Sequence, residues 1–341
     1  MLSYIAKRIL LMVPTLLGVL TITFVIAQFV PGGPVEQVIA QMRHRSAGGT
    51  GMTHEVTPEQ IEQIKRQFGF DKPPLERYVM MLRDYTRFDL GRSFTYSDDV
   101  WHVIRSKLPV SISLGLWSTL LGYLISIPLG IAKAVRDGSR FDTTTTILVL
   151  VGFAIPGFVL GVLLIILFCG GSFLDWFPLR GLVSDNWEDL SWPRRILDYF
   201  WHLTLPLICL TIGNFATLTM LTKNTFIEEI RKQYVLVARA KGLSQRSVLY
   251  KHIFRNALLP LITGLPGAIV GAFFVGALLV ETLFSLDGVG LLSYDSIMHR
   301  DYPVVLGSIY LFTLIGLVIK LVSDLLYVAA DPRVQFGRAA Q

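Results

Sequence analysis

The sequence predicts an all-α polytopic membrane protein of about six transmembrane helices, and three observations carry that prediction. Of 341 residues, 52% are hydrophobic and only 16% charged, against about 25% charged in a soluble domain. The apolar residues are strung into long runs, several of them long enough to cross about 30 Å of hydrocarbon. Lys and Arg are concentrated in alternate connecting segments, as expected when those segments share one side of a membrane.

The first run, residues 9–30, follows Lys7 and Arg8. It exceeds the roughly 7–15 residues of a signal-peptide core, and Pro31-Gly32-Gly33-Pro34 stands where a small-residue cleavage site is needed. It is therefore expected to remain as an uncleaved first span. Further spans are expected at 110–132, 143–168, 203–221, 258–283 and 304–328. Prolines within the runs, Pro14, Pro128, Pro156 and Pro206, mark kinks, hinges or bends tolerated against neighbours.

With the amino terminus inside, the inner segments carry Lys7, Arg8, Lys133, Arg136, Arg140, the basic residues of 223–255, Arg333 and Arg338. In the outer segment 170–202, Arg180, Arg194 and Arg195 are offset by five acidic residues. Both termini are thus expected on the cytoplasmic side. The expected organisation is residues 1–31 as cytoplasmic N-terminus and first span and 32–108 as an outer helical subdomain. Residues 109–328 form a five-helix core with an inner loop at 223–258, and 329–341 a cytoplasmic tail.

The outer subdomain reads as ordered. Thr57-Pro58-Glu59-Gln60 combines a cap, a first-turn proline and a capping-box partner, with Gly69 closing the helix. Pro74 opens a second helix whose Leu75, Tyr78, Val79 and Leu82 share one face. Gly-rich 46–51 reads as loose linker.

The loop 223–258 reads as two short amphipathic helices. Thr225 and Glu228 have capping-box spacing, and Ile227, Ile230, Tyr234 and Val237 or Ala238 form an apolar stripe that Gly242 ends. Ser244 caps the second helix, Leu243 and Val248 have staple spacing, and Val248, Leu249 and Ile253 make its apolar side. Two readings fit: a basic loop on anionic lipid, or a docking element whose small Ala238, Ala240 and Gly242 permit close approach.

Other groups are read as structural. Cys169 and Cys209 sit in apolar runs as small hydrophobes. Lys320 and Asp324, four apart near the inner end of the last run, read as a snorkelling pair. His44, His54, His102, His202, His252 and His299 lie in loops or at span ends without metal-ligand spacing, so no metal is expected. No Gly-x-x-x-x-Gly-Lys-Ser/Thr loop occurs, so an ATP-driven cycle needs another subunit. A catalytic role is not expected. A secondary transporter or a channel not driven by ATP is the alternative, although no inverted repeat is found.

Specific segments add a resemblance. Tyr234-Val235-Leu236-Val237-Ala238-Arg239-Ala240-Lys241-Gly242-Leu243, followed by Arg255-Asn256-Ala257-Leu258-Leu259-Pro260, resembles the coupling segment of binding-protein-dependent ABC permeases of the dipeptide and oligopeptide class. Leu236 and Val237 stand where that segment generally has Glu and Ala. Asp89-Leu90-Gly91-Arg92-Ser93-Phe94, the stretch 284–291, Arg300-Asp301-Tyr302-Pro303 and Asp331-Pro332-Arg333 resemble the same permeases in the same order. Pro31 to Pro34, Gly138-Ser139-Arg140-Phe141-Asp142, 177–184 and Arg231-Lys232-Gln233-Tyr234 are most similar to the branch associated with oligopeptides and microcin C-type compounds.

The resemblance implies a type I ABC importer permease in the inner membrane, working by alternating access. It implies a second homologous permease subunit, one or more cytoplasmic ABC ATPase subunits that bind ATP and Mg, and a periplasmic peptide-binding protein; lipid surrounds the chain, and nucleic acid is not a partner. It places ATPase coupling at Ala238, Arg239, Ala240, Lys241, Gly242, Leu243 and Ser244. It leaves the substrate-binding residues and the peptide itself unassigned, and a short helix between Gly288 and Asp301 near an outer gate.

Overall fold

The computed structural model describes residues 2–29, 71–170, 173–274 and 277–330, with isolated helical positions at Glu59, Glu62 and Arg66. The segments expected at 31–34, 46–51 and 331–333, and most of the helix expected from Thr57 to Gly69, lie outside the described residues. The chain divides into two compact units, residues 1–107 with 292–317, and residues 108–291 with 318–341.

In the first unit, helix α1 (Leu2–Phe29) is long enough to cross a bilayer and carries Pro14 within it. The hydroxyls of Thr15, Thr21 and Thr23 donate to carbonyls one turn back at 2.6–2.8 Å. Thr21 Oγ1 also lies 2.6 Å from the Tyr78 hydroxyl, and Gln28 Oε1 accepts from Arg77 at 2.6 Å.

Helix α2 (Pro74–Tyr85) starts at the expected proline, after Pro73 in extended conformation. Its buried edge differs from expectation. Tyr78 packs against Phe24 with ring centroids 5.3 Å apart. Tyr85 is buried against Tyr310 at 5.0 Å, and the Tyr310 hydroxyl donates to the Tyr85 carbonyl at 3.1 Å. Leu75 and Val79 face out. Three- and four-residue spacing admits either edge, and the tyrosines win because they bring both ring area and a hydrogen bond.

Two segments far apart in sequence form one clamp in this unit. Asp301 is fully buried and accepts from Ser93 Oγ at 2.5 Å, Phe94 N–H at 3.1 Å and Thr95 N–H at 2.9 Å. A buried carboxylate needs such donors.

In the second unit, α3 (Val100–Val135) enters from the first and continues through Pro109 and Pro128, and α6 (Trp192–Ile230) continues through Pro206. At 1.5 Å per residue each is about 55 Å long, so both outrun the hydrocarbon. The apolar runs at 110–132 and 203–221 mark only their middles.

The expected span 143–168 is folded as two helices, α4 (Arg140–Ala154) and α5 (Gly157–Phe168), bent by 90°. Ile155 is extended and Pro156 precedes α5, the outcome that a proline imposes on the residue before it. Of the four prolines singled out from the sequence, Pro156 alone sits at such a break.

Of the expected span 258–283 the structure describes α9 (Leu259–Phe274) and α10 (Ala277–Leu283), with 275–276 outside the described residues. Helix α11 (Val289–Met298) and the long α12 (Tyr302–Ala330) complete the described chain. Among the described residues, four helices are long and apolar enough to cross a membrane unbroken, five if the bent pair counts as one. In α12, Lys320 is exposed and Asp324 half-buried.

The second unit has two cores. One gathers Leu114, Cys169, Leu203, Leu205, Leu207, Cys209, Val280, Phe284 and Leu286, so both cysteines pack as small hydrophobes. The other gathers Ile131, Ala134, Phe226, Val235, Ala238, Val248, Ile253 and Ala257, directly beneath the 223–258 loop.

Candidate functional site

The loop differs from the sequence reading at its first residue. Helix α6 runs unbroken to Ile230, so Thr225 is internal and its hydroxyl donates to the Thr222 carbonyl at 3.0 Å. Thr225 is not a cap. Apolar Phe226, Ile227 and Ile230 have core to bury against, and that carries the helix past a weak local stop signal.

After a tight turn at Arg231 and Lys232, helix α7 (Gln233–Ala240) begins. The turn is held by Glu229, a buried carboxylate that accepts from the Lys232 ammonium and, at 2.6 Å, from the Tyr234 hydroxyl. The hydrogen bond to Glu229 raises the pKa of Lys232. Burial first, and then the same carboxylate, raises that of Tyr234. Lys232 and Tyr234 thus keep their ordinary protonation at neutral pH.

The buried side of α7 is Val235 and Ala238, three apart. Of the two alternatives for the apolar stripe, Ala238 is the buried one, and Val237 turns out to solvent at 53% exposure beside Leu236 at 60%. One position separates the two assignments, and on a helix that is a turn of about 100°.

The stop after α7 is a complete left-handed cap. Gly242 has φ +79°; its N–H donates to the Arg239 carbonyl at 2.9 Å, and Leu243 N–H donates to Ala238 at 3.3 Å. Those are the two bonds of a Schellman motif, and they require a residue at ease with positive φ. Ser244 then caps the next helix as expected, its Oγ accepting from Ser247 N–H at 3.3 Å. That helix runs through Gln245–Ser247, a π-helical stretch Val248–Ile253 and Phe254–Ala257. Val248 and Ile253 are buried beneath it, with Leu249 packed alongside.

Of the residues expected to couple, Ala238 belongs to the support. Arg239, Ala240, Lys241, Gly242, Leu243 and Ser244 are exposed. Leu236, Val237 and Tyr250 join them on the surface, as do Arg246, Lys251 and Arg255. An added Cβ on Gly242 would meet nothing within 4 Å. The result is a fixed knob: apolar and basic outside, anchored inside, with small residues at its tip.

A buried ionic brace in the same unit ties α3, α4 and α6 and was not read from the sequence. Lys133 is wholly buried, and its Nζ donates to the Asp142 carbonyl (2.9 Å), Thr145 Oγ1 (3.0 Å) and Thr146 Oγ1 (2.6 Å), and lies 3.0 Å from Asp142 Oδ1. Lys223 Nζ is 2.6 Å from Asp142 Oδ2 and 3.0 Å from Asp137 Oδ1. The local signal was Ser139 three residues before Asp142, a cap that the structure forms: Asp142 N–H donates to Ser139 Oγ at 3.2 Å.

A second buried carboxylate, Glu281, accepts from Ser111 Oγ at 3.0 Å and from Leu291 N–H at 2.7 Å. Ser111 in turn accepts from Val289 N–H at 2.8 Å. Gly288 makes room: a Cβ there would sit 2.3 Å from the Glu281 carboxylate.

Comparison with known proteins follows this geometry. Residues 126–336 match the family described as binding-protein-dependent transport system inner membrane component, and residues 1–115 match its N-terminal companion family. Similar proteins include a peptidoglycan transport system permease protein YejB of Agrobacterium fabrum, 53% identical over 98% of this chain and 99% of that protein. The inner membrane ABC transporter permease protein YejB of Escherichia coli O157:H7 is 50% identical over the same shares. A di/tripeptide transport system permease protein DppB of Pseudomonas aeruginosa is 33% identical over 99% of this chain and 100% of that protein.

Proposed function

From the premise that the chain belongs to the binding-protein-dependent transport system inner membrane components, and so is a multi-pass permease subunit of an ABC importer, we propose that it moves oligopeptides or peptide-like compounds, and that 236–244 is where ATP hydrolysis is coupled to it. Membership sets aside the secondary transporter and the channel. The relatives named for peptide and peptidoglycan transport support the substrate class.

The single observation that carries the coupling assignment is the knob. Its exposed Leu236, Val237, Ala240 and Leu243 stand on a packed base with a rim of Arg and Lys, and such a surface suits a protein partner with an apolar pocket and acidic margin. In this reading both termini and the loop are cytoplasmic, and the fold is of the type I importer kind. The partners are a second homologous permease, one or two ATPase subunits that hold ATP and Mg, and a periplasmic peptide-binding protein. Closure of the ATPases moves the knob, and because its base is continuous with α3 and α6 the motion passes into the spans as alternating access.

Val237→Glu tests the coupling, since Val237 is exposed and its loss leaves the core intact. Peptide uptake and substrate-stimulated ATP hydrolysis in the reconstituted complex are expected to fall together by about tenfold or more, the effect of losing roughly 1.4 kcal/mol of interface. Unchanged values at normal membrane levels overturn the assignment.

A further inference from the structure

The middle of α6 places polar groups where hydrocarbon is expected. Asn214 lies near the centre of the apolar run 203–221 and is exposed, as are Gly213 and Thr217. Thr211, one turn earlier, has a buried hydroxyl without a hydrogen-bond partner among the described residues. Thr204 and Thr222 on the same helix donate to carbonyls one turn back at 2.7 Å, whereas the fully buried Thr219 hydroxyl, like that of Thr211, has no partner among the described residues.

At 100° per residue, Thr211, Asn214 and Thr217 span about 120° of one face. The face changes character along its length. Toward Trp192 it carries Leu203 and Leu207, both buried in the core with Leu114 and Phe284; from Asn214 toward the coupling loop it is open. On α9, in the same unit, Gly264 and Gly267 are exposed, and a Cβ on either meets nothing within 4 Å. A carboxamide facing lipid would forfeit its hydrogen bonds with no return, so this face borders a polar space.

We propose that Asn214, flanked by the exposed Thr217, is a binding subsite for the backbone amides of the transported peptide, on a path closed toward Leu203 and open toward the coupling loop. A carboxamide offers two N–H donors and a carbonyl acceptor, the complement of a peptide unit whatever its side chains. The subsite therefore suits peptides of varied sequence. This rests on the peptide-permease reading above.

The test uses the whole reconstituted complex. Asn214→Cys is placed in a Cys169→Ala, Cys209→Ala background and treated with a charged, water-soluble maleimide, with Leu163→Cys as an exposed apolar control. The charged reagent is expected to modify position 214 and to spare 163, and a saturating hexapeptide delivered by the binding protein is expected to slow the reaction. In the native-cysteine background, Asn214→Ala is expected to raise the KM for peptide uptake about tenfold, ~1.4 kcal/mol, with Asn214→Gln partly restoring it.

Labelling by an apolar maleimide alone places the residue on lipid and overturns the proposal. Labelling only after the complex is dissociated places it in a subunit interface and does the same. Peptide uptake by wild type without protection at 214 overturns the subsite alone. A wild-type complex that imports no peptide but labels at 214 overturns the peptide reading instead.

Discussion

Helix α3 is held at two points by opposite chemistry. At Lys133 the partner is Asp142, a carboxylate shared by two ammonium groups, and the Lys133 ammonium also donates to two threonine hydroxyls. At Ser111, about 33 Å away along the helix, the partner is Glu281, a carboxylate fed by a hydroxyl and backbone N–H groups, its space cleared by glycine. One joint is set by charge and the other by shape. A charge joint resists removal of either partner but tolerates small changes of volume, whereas a shape joint fails on a single methyl group.

The largest expected effect breaks the charge joint. Lys133→Met leaves the Asp142 carbonyl and the two threonine hydroxyls without their shared donor, and the complex is expected to lose about 3–5 kcal/mol, read as a lowered unfolding midpoint. Lys223→Met costs less, because Lys223 is partly exposed and Asp142 keeps Lys133. Equal losses would mean that the two lysines are not the unequal partners described.

The shape joint is tested by Gly288→Ala, expected to cost about 1–3 kcal/mol by overpacking. Combined with Glu281→Ala it is expected to cost less than the sum of the two single changes, because the second removes what the first strikes. Strict additivity in thermal unfolding would show that the glycine and the carboxylate do not meet. Glu281→Gln keeps the volume but turns one acceptor into a donor facing a donor, for about 1–3 kcal/mol.

The smallest effect is at the knob. Gly242→Ala adds a methyl group into open space, so only the left-handed backbone is strained, at about 1–2 kcal/mol; a larger loss would mean that the methyl group meets something.

How much of this was legible in sequence follows the same division. Long apolar runs and the Gly242 and Ser244 stops are local, and the runs became helices, with 143–168 bent into two, while both stops formed as expected. The break at Pro156 was local too, but proline is equally at home inside α3 and α6, which continue through the exposed Pro128 and the buried Pro206. Thr225 looked like a cap because capping chemistry is short-range, whereas the core under Phe226 that overrides it is built from Ile131, Val248 and Ile253. Val237 and Ala238 stood as alternatives until that core fixed which side of α7 faces it.

The site divides likewise. Six of the seven residues expected to couple are exposed as a surface must be, and Ala238 serves beneath it. The brace at Asp142 brings together residues from α3, α4 and α6 that no spacing connects. The Asn214 face was invisible because a single Asn in an apolar run carries no signal until its neighbours fail to cover it.

The coupling assignment is tested most directly by cross-linking. Ala240→Cys in the Cys169→Ala, Cys209→Ala background, treated with a short bis-maleimide in membranes of cells expressing the whole importer, is expected to give a product containing this chain and an ATPase subunit, with a yield that changes when ATP is added. A product with lipid-phase or permease partners only, at normal membrane levels of both chains, would contradict it.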